Sequence, residues 1–351
     1  MPETGASPMG ATLRVVYADD TAADDPRFFT LQQIFDERMR KTLERGKRAT
    51  GTIKDYQTSL RHWGALSPDP QLCEITDEDL EAFADALESR PEIETLTTVD
   101  KHVKNIESIL RFCGPKTRQH PSALKAIESP PFIARRSGSQ AAGEHRVISV
   151  DEMNAIYRAC SVARWPNAAV PAPVVWRAFF VFLWNVGPSR TQAFLFPTKA
   201  VHFSAECPVG RFRNITNEHG WLSFVREKTK RTKPQPITLP MCETLSRHVR
   251  SVHNRDRERL FPFSKCQRDW YRWMYEIQAA AGLEKPFTPQ EFRVTCNVEW
   301  DEVQFGIGAS VLGHDRRDVN SRHYKAVVKR LAALVQERAQ PSAFNDPEFQ
   351  F

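Results

Sequence analysis

The stretch VVWRAFFVFLWNVG at 174–187 constrains this chain more than any other. A helix that is apolar on nearly every side cannot lie on a surface and has to be wrapped by other elements. Gly187 and Pro188 end it, because neither residue continues a helix readily. With Arg177 inside it, the run is too short for a bilayer, and the N-terminus has no basic-then-apolar leader pattern, so the chain reads as a soluble, cytoplasmic protein. The protein that surrounds this helix must be large enough to bury it. At 351 residues the chain exceeds the size of one hydrophobic core, which predicts two domains and a linker.

Apolar spacing places the helices of a first domain. Leu31, Ile34, Phe35, Met39 and Leu43 form one stripe, and Ile53, Tyr56, Leu60 and Trp63 form a second. Thr76 is placed to N-cap a third helix carrying Leu80, Phe83 and Leu87. A fourth, carrying Val99, Val103, Ile106 and Leu110, stops at Gly114. Residues 1–28 lack periodicity and read as a mobile arm, leaving a small four-helix domain over 29–127.

The stretch 128–146 combines prolines, glycines and serines with Arg135 and Arg136, the composition of a linker with a basic edge. A second domain over 147–340 opens on a capping box, Ser149 with Glu152. In WLSFVREKTKRTKPQPITLP two strands flank a lysine-rich turn, and the remainder is helical through 267–282 and 318–339. Trp270, Tyr271, Trp273 and Tyr275 have helical spacing and read mainly as core. The tail at 341–351 carries Phe344, Phe349 and Phe351, read as exposed after a helix and at least as readily as a disordered end. The expected fold is therefore mainly α, with a small β-sheet in the second domain.

Charge and cysteines narrow the function. The net charge is +6, while residues 1–30 hold five acids and two basic residues, so the basic excess lies further along and favours a polyanion. Seven scattered cysteines without a C-x-x-C pair predict no zinc or redox site and fit a reducing compartment.

The segment VLGHDRRDVNSRHY, 311–324, sets Tyr324 among cations. Taken singly, Tyr324 sits on the apolar stripe of Val327, Val328, Leu331 and Val335 and reads as core, Arg190 as a surface ion pair and Lys228 as part of a solvated turn. Phosphodiester cleavage without metal asks for more: fixed donors on the nonbridging oxygens, a nucleophile, and an acid for the leaving oxygen. A tyrosine has an ordinary pKa near 10 and needs neighbouring positive charge or a base to attack.

An arginine after a buried helix, a lysine in a hairpin, an H-x-x-R, an L-G-H and a tyrosine nine or ten residues later is the pattern of the tyrosine recombinases, or phage integrases. This chain resembles it in Arg190 (NVGPSRTQAF), Lys228 (REKTKRTKP), Arg293 (FTPQEFRVT), His314 (VLGHD) and Tyr324 (SRHYK), in the family's order over roughly 28–340. Two positions depart from it. Gln290 stands where the family has a histidine base, and Ala193 stands where it has a supporting carboxylate.

The resemblance implies a SAM-like core-binding domain and a catalytic domain that clamp duplex DNA, a homotetramer on DNA in which the C-terminal tail of one subunit packs on its neighbour, and neither metal nor ATP. It implies that Tyr324 forms a 3′-phosphotyrosine while Arg190, Arg293 and His314 hold the phosphate. Lys228 would act as general acid, preferred over Lys230 on the same face, and Gln290 would fill a weakened base position. Arg135, Arg136, Lys230, Arg231 and Lys233 are the expected DNA contacts. A DNA-binding protein that has lost cleavage and a type IB topoisomerase remain as alternatives.

Overall fold

The computed structural model describes residues 25–46, 50–66, 69–93, 95–118, 120–137, 146–225, 236–263, 267–312 and 321–349. The chain divides into two units between Ala141 and Ala142.

In the first unit Thr30 caps α1 (Leu31–Ile34) by a reciprocal box with Gln33. The helix widens into a π-turn, Phe35–Met39, before α2 (Arg40–Arg45). Next come α3 (Thr50–Leu66), α4 (Asp77–Glu88), capped by Thr76, and α5 (Leu96–Cys113), capped by Thr95 and ended at Gly114. Their stripes meet in one core containing Leu31, Phe35, Leu60, Trp63, Phe83, Leu87, Ile106 and Leu110. Within it the Ser59 hydroxyl and His102 Nδ1 share a 2.9 Å hydrogen bond.

Residues 128–137, expected as linker, instead return along this unit. The Phe132 amide donates to Asp77 at 2.7 Å, the Ile133 amide to Glu107 at 3.3 Å, and the amides of Arg136 and Ser137 to Asp100. Ile133 is buried in the helical core. Three acids on α4 and α5, Asp77, Asp100 and Glu107, thus convert a basic, proline-bearing stretch into a strap.

The second unit is built around α7 (Ala172–Val186), whose residues 175–186 are all buried, Arg177 included. Preceding it is α6 (Val150–Ala159), opened by the Ser149–Glu152 box. After it come α8 (Arg190–Phe194), β1 (Val201–His202), β2 (Trp221–Val225), β3 (Pro236–Pro240) and α9 (Glu243–Val252). The chain then forms α10 (Gln267–Ala280), α11 (Pro289–Val303), α12 (Ile307–Val311) and α13 (Ser321–Leu334). Both α9 and α11 pack against α7, and α13 runs against β3.

The sheet is antiparallel in the order β1-β2-β3, with Leu222 opposite Val201 on one side and Leu239 on the other. The chain is thus mainly helical with one small sheet. Its third strand, β1, was not expected, since two residues are too few to display an alternation.

The tail corrects a second expectation. Phe344 is fully buried, with its ring 5.1 Å from Tyr157 and 6.5 Å from Trp184. The Ala343 amide donates to Asn154 at 2.9 Å, and Arg247 donates to the Phe344 carbonyl at 3.1 Å. The Arg177 guanidinium lies 4.6 Å from the Phe349 ring centroid. A buried ring surrounded by aromatic partners outweighs the usual disorder of a chain end. Among the described residues, no helix is long and apolar enough to cross a membrane.

Candidate active site

Two clustered features sit at the C-terminal end of α7. Gly187 ends the helix in the left-handed region, at φ 52°. A Cβ there would lie 2.7 Å from Leu312 Cδ2 and 2.8 Å from Cys296 Cβ, so both conformation and space require glycine. The chain turns through Pro188 and Ser189 into α8. Ser189 and Gln192 close a capping box, which puts Arg190 at the first helical position with its side chain exposed. Arg190 Nη1 is 3.5 Å from the Tyr271 hydroxyl on α10.

Arg293 enters from α11, 106 residues after Gly187 in sequence but adjacent to it in space. It is 8% exposed; one Nη donates to the Gly187 carbonyl and the other to the Leu312 carbonyl at 3.1 Å. Those acceptors lie three residues before Arg190 and two before His314. A single guanidinium therefore ties together the segments that carry Arg190, Arg293 and the L-G-H motif. Burial pulls the Arg293 pKa below its ordinary value, with nearby Cys296 acting in the opposite direction. From an ordinary value above about 12 the group stays cationic.

Gln290 is exposed in the first turn of α11, one turn before Arg293, where Thr288 and Glu291 form the cap. Its amide can bond a phosphate oxygen and cannot accept a proton near neutral pH. Ala193 is fully buried, so nothing at that position provides a carboxylate to Arg190. The neighbour that the sequence reading missed is Tyr271. Trp270 is buried as expected of core, whereas Tyr271 is only partly buried and its hydroxyl reaches Arg190. Adjacent helical positions point about 100° apart, and that offset was the available signal.

Tyr324 lies in α13, the helix packed against β3. Leu331 and Val335, following it, border a small gap with Asn185, Val186 and Trp300, which brings α13 to the same end of α7. Lys228, Lys230, Arg231, Lys233 and His314 lie outside the described residues, as does the side chain of Tyr324. Val225 and Pro236, the described residues on either side of the lysine-rich stretch, pair directly across β2 and β3.

The expected DNA contacts of the first unit separate. Arg135 is exposed. Arg136 is held by Glu81, Asp85 and Glu88 at 2.5, 2.5 and 3.2 Å, which raises its pKa and neutralises it locally. Among the described residues, no cluster of three or more His, Cys, Asp and Glu side chains is arranged to hold a metal.

No family model and no curated protein matches this sequence. Solved structures do match it. A lambda integrase tetramer bound to a Holliday junction is 14% identical, over 88% of this chain and 84% of that one, with a TM-score of 0.54. A lambda integrase dimer bound to a COC' core site is 13% identical over 86% and 79%, with a TM-score of 0.54. XerH site-specific recombinase bound to a palindromic difH substrate, in a post-cleavage complex, is 15% identical over 79% and 77%, with a TM-score of 0.50. At such identities the likeness bears on architecture alone, and on architecture it agrees with the helical units and the small sheet: the chain has the tyrosine recombinase fold.

Proposed function

We infer that this protein is a site-specific DNA recombinase that cuts and rejoins duplex DNA through a 3′-phosphotyrosine on Tyr324. The observation that carries this reading is the pair of Arg293 bonds to the Gly187 and Leu312 carbonyls, which draws three motif segments to one place. In the proposed step the Tyr324 hydroxyl gives its proton to solvent, its oxygen bonds to phosphorus and the P–O5′ bond breaks. Arg190 and Arg293 meet the charge growing on the nonbridging oxygens, with a hydrogen bond from His314. Lys228 gives the leaving oxygen its proton, and Gln290 orients the phosphate without acting as a base.

Rejoining reverses these steps, and the covalent link conserves the bond energy. The partner is double-stranded DNA held by a homotetramer in the cytoplasm, with Arg135, Lys230, Arg231 and Lys233 among the phosphate contacts. Arg136, already paired with three carboxylates, is the weakest member of that set.

Gln290 and the buried Ala193 favour a second reading, a DNA-binding protein on the same scaffold that no longer cleaves. A nicked duplex carrying a site selected from a random pool separates the two. Wild type is expected to leave a denaturation-resistant protein–DNA adduct that Tyr324→Phe abolishes. Gln290→His is expected to speed its formation by up to about 10². Specific binding with no adduct from either protein would favour the non-cleaving reading.

A further inference from the structure

Arg190 is exposed and opens a helix of five residues, so its backbone fixes only where the side chain begins. A long, rotamer-rich arm needs a second point of attachment before its guanidinium can meet a phosphate in one geometry. The family pattern sets a carboxylate for that purpose at the position of Ala193, which here is fully buried and carries no polar atom on its side chain. Among the described residues no carboxylate pairs with Arg190, and its side-chain hydrogen bond goes to Tyr271.

Tyr271 is a well-anchored acceptor. Trp270, Met274 and Ile277, all fully buried, seat α10 on the core of the second unit. The Tyr271 ring packs against that core, with its centroid 4.7 Å from Trp270 and 5.7 Å from Tyr275. It is only half-buried, and its hydroxyl oxygen accepts from Arg190 Nη1 at 3.5 Å. That length is at the long end for a hydrogen bond, and such bonds in active sites commonly tighten when the reacting complex forms. A hydroxyl also holds a guanidinium without offsetting its charge, which a carboxylate would do in part.

We propose that Tyr271 is the positioning residue for Arg190, giving from a different helix the support that Ala193 cannot give. The inference rests on the recombinase reading. The arginine so held meets the scissile phosphate, and charge growing on the phosphate oxygens favours a donor that is already in place.

Tyr271→Phe removes the hydroxyl and keeps the ring on the core. A double-mutant cycle with Arg190→Ala, on the full chain, tests the coupling through affinity for the duplex selected from a random pool, a measurement that needs no cleavage. Tyr271→Phe is expected to weaken binding two- to threefold with the unfolding midpoint unchanged. In the Arg190→Ala background it should weaken binding no further, because the hydroxyl then has no guanidinium to hold. On the nicked duplex, Tyr271→Phe should slow adduct formation about tenfold, more than it weakens binding, since an arginine held in place matters most in the transition state.

Tyr271→Phe binding or reacting as wild type does, or weakening Arg190→Ala as much as it weakens wild type, overturns the proposal. Wild type that binds its duplex without leaving an adduct overturns the recombinase reading, and the affinity cycle then decides alone whether Tyr271 positions Arg190.

Discussion

Each unit secures a returning segment of its own chain, and the two do so by different physics. In the first unit, 132–137 is fastened at its edge by carboxylates, with Arg136 spanning Glu81, Asp85 and Glu88, whose side chains are 51–72% exposed. In the second, 341–349 inserts Phe344 into a closed aromatic site, with polar bonds from Asn154 and Arg247 around it. Exposed ion pairs contribute little and are screened by salt, whereas a buried ring contributes in proportion to the area taken from water and to the fit around it. The Arg136 end of the strap, beyond the buried Ile133, is therefore held weakly and reversibly, and the tail is a structural member of its unit.

Phe344→Ala tests the stronger end of this contrast. Removing a fully buried phenylalanine side chain typically costs about 3–5 kcal/mol, through lost transfer energy and the cavity left behind. Denaturant unfolding should shift by that amount, and the shift should persist in high salt. A loss below about 1 kcal/mol would mean that the tail only rests on the surface, which would restore the expectation that it serves a neighbouring subunit.

Acidification comes next, because each unit buries a neutral histidine. His248 shares a 2.7 Å hydrogen bond between Nε2 and the Tyr157 hydroxyl, while Nδ1 meets the Thr244 carbonyl at 2.8 Å. Burial pushes its pKa down to about 4, the Thr244 bond opposes this, and the charges of Arg247 and Arg177 reinforce it. Burial also pushes the Tyr157 phenol up to about 12, so the pair is neutral at pH 7.

The unfolded histidine binds its proton near pH 6.5 and the folded one only near 4, so the unfolded state gains protons first as pH falls. The stability is fully present above about pH 6.5 and is lost progressively down to about pH 4. At about 1.4 kcal/mol per pKa unit, the His248 contribution is on the order of 3 kcal/mol. His102, lowered to about 4 chiefly by burial and then by His62 and Lys101, acts in the same direction in the first unit. Unfolding midpoints measured from pH 7 to 4.5 should fall, and His248→Asn should flatten the part that belongs to the second unit. An unchanged slope in that variant would assign the acid sensitivity elsewhere.

What could be read beforehand was local. Thr76 caps α4 as expected, Ser149 caps α6 in the expected box with Glu152, and α7 stops at Gly187. The order of Arg190, Arg293 and the L-G-H motif was likewise legible, but the Arg293 bonds to two distant carbonyls were not, since no periodicity encodes a side chain's choice of main-chain acceptor. Phe344 was misjudged because its receptor is assembled from Tyr157 and Trp184, more than 150 residues upstream, and a terminal aromatic in PSAFNDPEF carries no repeat to betray it. The carboxylates that hold Arg136 were not read from the linker composition. The signal was present in α4, where Glu81, Asp85 and Glu88 lie four and then three residues apart and share one helical face.

That acidic face supplies the smallest predicted effect. Arg136→Ala removes three exposed ion pairs from one cation, and exposed pairs are worth about 0–1 kcal/mol each, with networked ones toward the upper end. The first unit should lose about 1 kcal/mol in dilute buffer. The loss should nearly vanish at 1 M salt, where the screening length falls to about 3 Å. The Phe344→Ala loss has no comparable reason to respond, so the two variants measured across a salt series should separate. If Arg136→Ala instead left stability untouched and weakened duplex binding with a reduced salt slope, Arg136 would be exchanging its three carboxylates for a phosphate on the DNA-bound protein. The strap would then be a contact that DNA competes for, rather than a fixed part of the first unit.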